Sequence, residues 1–219
     1  METRQQLDRQ LSELYQLILK MGSLVEEALS KSVEALKNED RELADSVVKG
    51  DQAIDELHME VEDRATQVIA LEQPVATDLR ELITTTKIAA DLERIGDHAR
   101  HIARVVQTLP SDLLARSLPS METMARLGIS MVHDSLTAFV DQDAEKARQV
   151  AKRDDEIDAA HRSLYENLVS IMRDRPEWIE HGVKLMFLNR YLERLGDHVT
   201  NICEWVVFAK TGEHWELNK

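Results

Sequence analysis

Apolar residues recur every three or four positions along almost the whole chain. The first run of this kind is Leu7, Leu11, Leu14, Ile18, Met21, Val25 and Leu29. Such spacing places the apolar side chains on one face of an α-helix. The pattern predicts six long helices. The first begins near residue 7, and the other five cover about 39–71, 75–108, 120–140, 143–173 and 177–210. The expected fold class is therefore all-α.

Proline residues set several of the predicted boundaries. Pro74 ends the second predicted helix, and Pro176 starts the last one. The stretch LPSDLLARSLPS at 109–120 is the best linker candidate, because Pro and Ser cluster there. Short connections make neighbouring helices antiparallel. We therefore predict two tandem three-helix bundles, formed by residues 1–110 and 111–219.

An internal repeat supports this division. The sequence DQAIDELH at 51–58 returns as DDEIDAAH at 154–161, an offset of 103 residues. The sequence LERIGDHA at 92–99 returns as LERLGDHV at 192–199, an offset of 100 residues. Two motifs in the same order at nearly equal offsets are typical of a duplicated unit.

Composition and charge narrow the possible functions. The 219 residues include 7 Gly and 4 Pro and have a formal net charge of −14. Such an acidic chain repels nucleic acid and anionic lipid, but it suits cations or basic partners. The single Cys203 excludes an internal disulfide and a thiolate-rich zinc site. We find no secretory signal and no apolar run long enough to span a membrane, so we expect a cytoplasmic protein.

The repeated motifs place pairs of carboxylates at positions i and i+4 of a helix, one turn apart. Such a pair means little alone, because 41 acidic residues give about eight pairs by chance, most of them on solvated faces. Their positions along the axes of the predicted helical hairpins, counted in residues from the turn, are more informative. In the first repeat, Asp51 and Asp55 lie 22 and 18 residues before Gln73, at the turn. Glu93 and Asp97 lie 20 and 24 residues after it, so the four carboxylates stand at a similar height.

The second repeat shows the same arrangement. Asp154 and Asp158 lie 21 and 17 residues before Arg175, and Glu193 and Asp197 lie 18 and 22 residues after it. Four like charges at one height repel one another unless a cation lies between them. Carboxylate oxygens suit Mg, Mn and Fe ions, and Zn becomes possible if a histidine joins them. We therefore predict a divalent or trivalent metal site in each repeat.

Other residues of the motifs have candidate roles as well. His58 and His161 follow the acidic pairs and are candidates for further ligands or for supporting the acids. Gly96 and Gly196 lower helix stability by about 1 kcal/mol relative to Ala. Their lack of a side chain would let a neighbouring helix, a metal cluster or an anion approach.

The remaining charged residues of the motifs have plainer interpretations. For Arg94 and Arg194 we favour ion pairs with the acids over anion binding. His98 and His198 point about 100° away from the preceding aspartates. For these two histidines we favour a structural or surface role.

Two long segments resemble a known family. QPVATDLRELITTTKIAADLERIGDHARHIA at 73–103 is similar to the third helix of the PhoU family, whose members are phosphate-specific transport system accessory proteins. NRYLERLGDHVTNICEWVVFAKTGE at 189–213 is similar to the matching segment of that family's second half. The resemblance covers essentially the whole chain, including the six helices and the duplication.

The resemblance implies a non-enzymatic cytoplasmic regulator of phosphate homeostasis. Proteins of this family link the phosphate ABC transporter, through its ATPase subunit, to a membrane sensor histidine kinase. They keep the phosphate-starvation (Pho) response off when phosphate is plentiful, and they restrain uptake. The resemblance thus implies contact with the membrane only through partners, and it implies a homodimer.

The resemblance also implies metal ligands, because some relatives bind multinuclear metal clusters at their acidic motifs. At the positions of this sequence that match those motifs, the implied ligands are Asp51, Asp55, Glu93, Asp97, Asp154, Asp158, Glu193 and Asp197.

Two other hypotheses remain open at this point. One is a carboxylate-bridged di-metal enzyme, an oxidase or a hydrolase, because Asp-x-x-His at 55–58 and 158–161 is similar to the Glu-x-x-His of di-iron helical bundles. The other is a helical scaffold whose acids form only a solvated face. Metal bound inside a closed bundle would favour the enzyme, and the absence of bound metal after purification would favour the scaffold.

Overall fold

The computed structural model describes residues 2–106 and 109–217. Within these ranges the chain forms helices and no strands. The helices are α1 (Glu2–Asn38), α2 (Arg41–Glu72), α3 (Thr77–Val105), α4 (Ser111–Val140), α5 (Ala144–Ala151), α6 (Asp154–Asp174) and α7 (Ile179–Thr211), with a short 3₁₀ turn at Pro176–Trp178. The predicted all-α fold class is confirmed.

The helices form two three-helix bundles that lie side by side. Helices α1, α2 and α3 pack against one another, and so do α4, the α5–α6 pair and α7. Helix α3 also packs along α7, and α1 packs along α4, so the two bundles are in extensive contact. The apolar positions that predicted α1 are all buried, from Leu7 to Leu29. The amphipathic pattern therefore identified the side of this helix that faces the core.

Helix α4 differs from the prediction. It begins at Ser111 and runs through Pro119, so most of the predicted linker at 109–120 is helical. Leu113 and Leu114 in this stretch are buried in the core. Their burial offsets the backbone hydrogen bond that a proline inside a helix removes.

The predicted fifth helix is interrupted. Helix α5 ends at Ala151, and α6 begins at Asp154 after a turn at Lys152 and Arg153. The Arg153 guanidinium reaches α4, where its Nη1 lies 2.7 Å from Asp134 Oδ2. The apolar periodicity continues across this break, so the sequence pattern does not reveal it. Helix α3, the third predicted helix, ends at Val105. Its predicted end at Thr108 lies outside the described residues.

None of the helices in the described part of the chain combines the length and the apolar character that crossing a membrane requires. Cys203 is buried in α7, and burial raises the pKa of its thiol to about 12. The thiol is therefore held in its unreactive, protonated form.

Candidate functional site

The motif glycines lie where the last helix of each repeat crosses the helix before it. A Cβ atom on Gly96 would lie 3.0 Å from Ile54 Cδ1 and 3.6 Å from Asp51 Oδ1. A Cβ atom on Gly196 would collide with Asp154 Oδ1 and would lie 3.1 Å from Asp154 Cγ. Both glycines thus provide clearance, as predicted. The group that approaches them is the neighbouring helix together with its aspartate.

These crossings bring the predicted acids of each repeat to the junction of two helices. We call the set Asp51, Asp55, Glu93 and Asp97 the first cluster, and the set Asp154, Asp158, Glu193 and Asp197 the second cluster. Asp51 is only 5% exposed, and Asp154 only 3%. Glu193 is 9% exposed, and the other members are partly buried. The acids are therefore at the edge of the core rather than on a fully solvated face.

A partly buried guanidinium neutralises much of the first cluster. Arg100, one helical turn beyond Gly96, donates through Nη1 to Asp51 Oδ2. Its Nη2 lies 2.5 Å from Asp97 Oδ1, so one side chain joins α2 to α3. Arg94 lies at the exposed rim, with Nη1 3.4 Å from Asp97 Oδ2 and Nε 3.5 Å from Glu93 Oε2. The ion pairing predicted for Arg94 is confirmed.

The second cluster is arranged differently. Position 200, which corresponds to Arg100 in the repeat, holds Thr200, whose hydroxyl is buried without a hydrogen-bond partner. Arg190 pairs with Glu193 Oε1 from the surface, since its side chain is 54% exposed. The other oxygen of Glu193, Oε2, is buried and has no hydrogen-bond partner. An exposed Arg162 lies 3.5 Å from Asp158 Oδ2.

The carboxylates within each cluster act on one another electrostatically. Burial raises the pKa of Glu93, the charge of Asp97 raises it further, and Arg94 lowers it. Burial likewise raises the pKa of Glu193, with Asp197 adding to the effect and Arg190 opposing it. Burial also raises the pKa of Asp51, although Arg100 counteracts this. Raised pKa values are expected for carboxylates that lie close to one another and are partly shielded from water.

The neighbouring histidines are near the acids but engage other groups. His58 Nε2 lies 3.4 Å from Glu62 Oε1, one turn along α2. His161 Nδ1 lies 3.4 Å from the carbonyl oxygen of Asn189, and Asn189 Nδ2 donates to the carbonyl oxygen of His161 at 3.0 Å. His161 thereby joins α6 to α7. Either imidazole would have to turn to reach a cation shared with the acids.

In residues 2–106 and 109–217, no three side chains of His, Cys, Asp or Glu converge closely enough to hold a metal ion as they stand. The two clusters differ in how well they would accept one. The first already contains the Arg100 guanidinium between two of its acids. The second contains a buried carboxylate oxygen on Glu193 without a hydrogen-bond partner. A cation between the acids would therefore meet the Arg100 guanidinium in the first cluster, but no guanidinium stands at the matching position of the second.

The motif histidines lie between the two bundles, where α3 and α7 run antiparallel. His98 stacks on Tyr191 with ring centroids 5.4 Å apart, and it lies 5.4 Å from the His198 ring. His198 Nδ1 lies 2.9 Å from Asp91 Oδ1, which also accepts a hydrogen bond from Asn201. Their structural role is confirmed: these residues hold the two repeats together.

Sequence reasoning missed the residues that distinguish the clusters. Arg100 stands three positions after Asp97, a spacing that favours an ion pair on a helix, but it lies just outside the repeated motif. Arg190 likewise precedes Glu193 by three positions. Alignment of the repeats would have exposed the contrast between Arg100 and Thr200. The depth of Arg100 between the helices could not have been read from the sequence.

Comparison with known proteins is consistent with this geometry. The family profile described as PhoU domain matches the chain twice, over residues 18–106 and 121–206. The chain is 36% identical over 217 residues to the "Phosphate-specific transport system accessory protein PhoU homolog" of Clostridium acetobutylicum, an alignment that covers 99% of each chain. It is 39% identical over 206 residues to the protein of the same name from Zymomonas mobilis, covering 94% of this chain and 87% of that one.

Two solved structures have the same fold as this chain. The crystal structure of the phosphate transport system regulatory protein PhoU from Streptococcus pneumoniae superposes with a TM-score of 0.90 at 35% identity, over 96% of this chain and 99% of that one. The crystal structure of PhoU from Pseudomonas aeruginosa gives a TM-score of 0.87 at 31% identity. The chain, with both of its repeats, belongs to the PhoU family, whose named members are accessory proteins of the phosphate-specific transport system.

Proposed function

We propose that this chain is a cytoplasmic negative regulator of phosphate uptake and of the phosphate-starvation response. In this role it links the ATPase subunit of the phosphate ABC transporter to a sensor histidine kinase and reaches the membrane only through them. The observation that supports the proposal is the match to the family over nearly the full length of both proteins. A partial match could reflect a shared module, whereas this match covers 99% of each chain.

The chemistry of the site favours an adaptor over an enzyme. The acids lie at two-helix junctions on separate three-helix bundles, whereas di-iron enzymes enclose their carboxylates between four helices. We therefore propose a non-enzymatic protein. From the membership of the family we also propose that it acts as a homodimer. Sedimentation or light scattering would test the homodimer, and a monomer at cellular concentration would contradict it.

We also propose that the acidic clusters bind metal cations, such as Mn, Fe, Mg or Zn ions. Partly buried carboxylates with raised pKa values support this, since a cation would offset their mutual repulsion. Bound metal would then stabilise the helix junctions. Elemental analysis of protein purified without chelators tests the point, and protein free of metal under all loading conditions would contradict it.

The regulatory role has a direct genetic and biochemical test. Tagged protein should co-purify with the ATPase subunit and with the sensor kinase from cells grown in abundant phosphate. Deletion of its gene should turn on phosphate-starvation genes in that medium, and re-expression of the wild-type chain should turn them off again. Failure to bind either partner, together with unchanged repression in the deletion strain, would contradict the proposal.

A further inference from the structure

The surface formed by α3 and α7 differs in charge from the rest of the chain. Helices α1 and α4 pack along each other behind these two helices, and the exposed residues of α3 and α7 lie on the opposite side. Between residues 83 and 94 the exposed side chains of α3 are Ile83, Lys87 and Arg94. Between residues 183 and 194 those of α7 are Val183, Phe187, Arg190 and Arg194. All the exposed charges in these two segments are basic, although the chain has a net charge of −14.

Three pairs of these residues occupy equivalent positions in the two repeats. The pairs, which together we call the α3–α7 face, are Ile83 with Val183, Lys87 with Phe187, and Arg94 with Arg194. Successive members on each helix are four and seven positions apart, so they form one stripe along that helix. Because α3 and α7 are antiparallel, the two stripes run in opposite directions and meet at the arginines.

Arg94 and Arg194 lie at the centre of this face. Asp91 Oδ1 of α3 lies 2.9 Å from His198 Nδ1 of α7, which sets residues 94 and 194 at nearly the same height along the two helices. Burial lowers the pKa of His98, and the charges of neighbouring residues, Arg194 and Arg94 among them, lower it further. Both guanidiniums are therefore close to the same imidazole, where the two bundles meet.

The guanidiniums of the face project beyond the carboxylates beside them. The Arg94 side chain is 62% exposed, whereas those of Glu93 and Asp97 are 19% and 17% exposed. Arg94 contacts these two carboxylates at 3.5 and 3.4 Å, and such long contacts use only part of the five N–H donors of a guanidinium. In the second repeat, Arg190 is 54% exposed and Glu193 12%. An approaching molecule therefore meets the arginines first.

Charge decides which kind of partner fits this face. A second copy of the chain would bring the same arginines, so electrostatic repulsion opposes the pairing of two such faces. An anionic bilayer is wide enough to meet the exposed acids of α2 and α6 as well, such as Glu62, Asp63, Asp155 and Glu166. A narrow segment would interact mainly with the central guanidiniums, because salt screens exposed charges beyond about 10 Å. The face therefore favours a narrow acidic partner.

We propose that the α3–α7 face is a docking surface for an acidic segment of a protein partner. Lys87 and Phe187 lie seven residues to either side of the central arginines, so the face spans about 20 Å. The segment places carboxylates on Lys87, Arg94 and Arg194, and an apolar side chain on Phe187, which is 59% exposed. Arginine and aromatic residues are the types enriched at protein interfaces. This inference rests on the adaptor function proposed above, and it specifies the surface through which the adaptor contacts the transporter or the kinase.

Binding of the tagged full-length chain to the whole phosphate transporter and to the whole sensor kinase tests the proposal, with each partner held in nanodiscs of phosphatidylcholine. The test variants are the double substitution Arg94→Gln with Arg194→Gln, and the single substitution Phe187→Ala. The control is the double substitution Lys49→Gln with Arg173→Gln, which removes two exposed positive charges from α2 and α6. All five residues are exposed, so we expect every variant to fold, and circular dichroism verifies this.

We expect the double arginine variant and Phe187→Ala each to bind the same partner, or both partners, about tenfold more weakly than the wild type. The control variant should stay within about twofold of the wild type, since it changes charges outside the face. The affinity of the wild type should fall as NaCl is added. It should fall less steeply for the double arginine variant, because that variant has fewer ion pairs for salt to screen.

Four outcomes would overturn the proposal, and they are distinguishable. Unchanged affinity of both test variants for both partners would refute the docking face and leave the adaptor function intact. An equal loss in the control variant would mean that total charge matters rather than this face. Binding to vesicles of phosphatidylglycerol and phosphatidylcholine that the double arginine variant loses would assign the face to the membrane. A wild-type chain that binds neither partner would refute the adaptor function as well.

Discussion

The two buried aspartates of this protein are accommodated in different ways. Asp51 lies in the middle of the continuous helix α2 and is paired with Arg100. Asp154 is the first residue of α6, directly after the turn that separates α5 from α6. The start of a helix carries a partial positive charge from its free N–H groups, which favours a carboxylate there. One repeat therefore places a guanidinium beside its aspartate, and the other places its aspartate at the start of a helix.

This contrast shows that a repeated motif does not ensure repeated electrostatics. The motif residues at the two crossings are nearly identical, yet the residues that set their charge balance lie outside the motif. These are Arg100 and Thr200 on the last helices and the turn at 152–153 before α6. Changes at these positions should therefore affect the two repeats unequally.

The largest expected effect concerns the histidines between the repeats. His98 is buried without hydrogen bonds to either ring nitrogen, and burial lowers its pKa to about 3. In the unfolded chain it would titrate near its ordinary value of about 6.5. Between these values the unfolded state binds more protons, so stability is lost as pH falls through this window. We expect His98 to account for a loss of about 4 kcal/mol, at 1.36 kcal/mol per pKa unit with a discount for partial solvation.

Denaturant unfolding between pH 7 and pH 3 measures this loss. His98→Phe should flatten the decline, because a ring that cannot take up a proton preserves the stacking on Tyr191. His198→Asn is the matched control and should keep most of the decline. A decline as steep in His98→Phe as in the wild type would assign the acid sensitivity to other groups.

The next effect concerns the buried ion pair of the first cluster. Arg100→Ala leaves Asp51 buried without its partner, and breaking a buried pair in this way costs about 3 kcal/mol. Arg190→Ala, which removes an exposed partner of Glu193 in the second repeat, should cost about 0.5 kcal/mol. The free energy of unfolding in urea at pH 7 separates the two cases. Similar losses in both variants would mean that burial of Arg100 does not matter.

A smaller difference should appear at the motif glycines. Gly196→Ala would place a Cβ atom against the carboxylate of Asp154, which forces the helices apart and should cost about 2 kcal/mol. In Gly96→Ala the nearest atom is Ile54 Cδ1 at 3.0 Å, the end of a flexible side chain. The better helix propensity of Ala, worth about 1 kcal/mol, should offset most of that contact. Melting temperatures of the two variants check the order, and greater damage from Gly96→Ala would reverse it.

The smallest effect concerns the helix caps at matching positions of the repeats. Asp40 accepts one hydrogen bond, from the Leu43 N–H at the start of α2. Asp143 accepts two, from the Glu145 and Lys146 N–H groups at the start of α5. Each substitution by Ala should cost about 1 kcal/mol, with the greater loss at Asp143. Amide hydrogen exchange of the first turn of each helix measures it, and equal exchange in both variants would contradict the ranking.

Much of the architecture follows from the sequence because it depends on local periodicity. Residues from Leu7 to Leu29 reveal their helix and its buried face in one stretch of chain. The heights of the acids also follow, since residue counts from a turn fix positions along antiparallel rods. Both inferences rest on distances measured along the chain.

The features that escaped prediction depend on contacts between helices. The break after Ala151 contains neither Gly nor Pro, and Arg153 there reaches across to Asp134 on α4. Helix α4 continues through Pro119 because Leu113 and Leu114 are buried by tertiary packing. Whether Arg100 faces solvent or bridges two carboxylates is set by the way α2 crosses α3. Local spacing indicates the Arg100–Asp97 ion pair but not the contact of Arg100 with Asp51 on the neighbouring helix, and it indicates neither of the other two outcomes.

The contact between α3 and α7 has the form of a two-fold symmetric interface inside one chain. Asp91 meets His198, and the corresponding pair in the other direction, Tyr191 and His98, meets as well. A homodimer builds such an interface from identical partners, so any substitution appears on both sides at once. Here α3 and α7 are encoded by separate codons, and the covalent link between the two repeats keeps them at a high effective concentration relative to each other. The chain can therefore hold Arg100 in one half and Thr200 in the other, an asymmetry that two identical subunits could never encode.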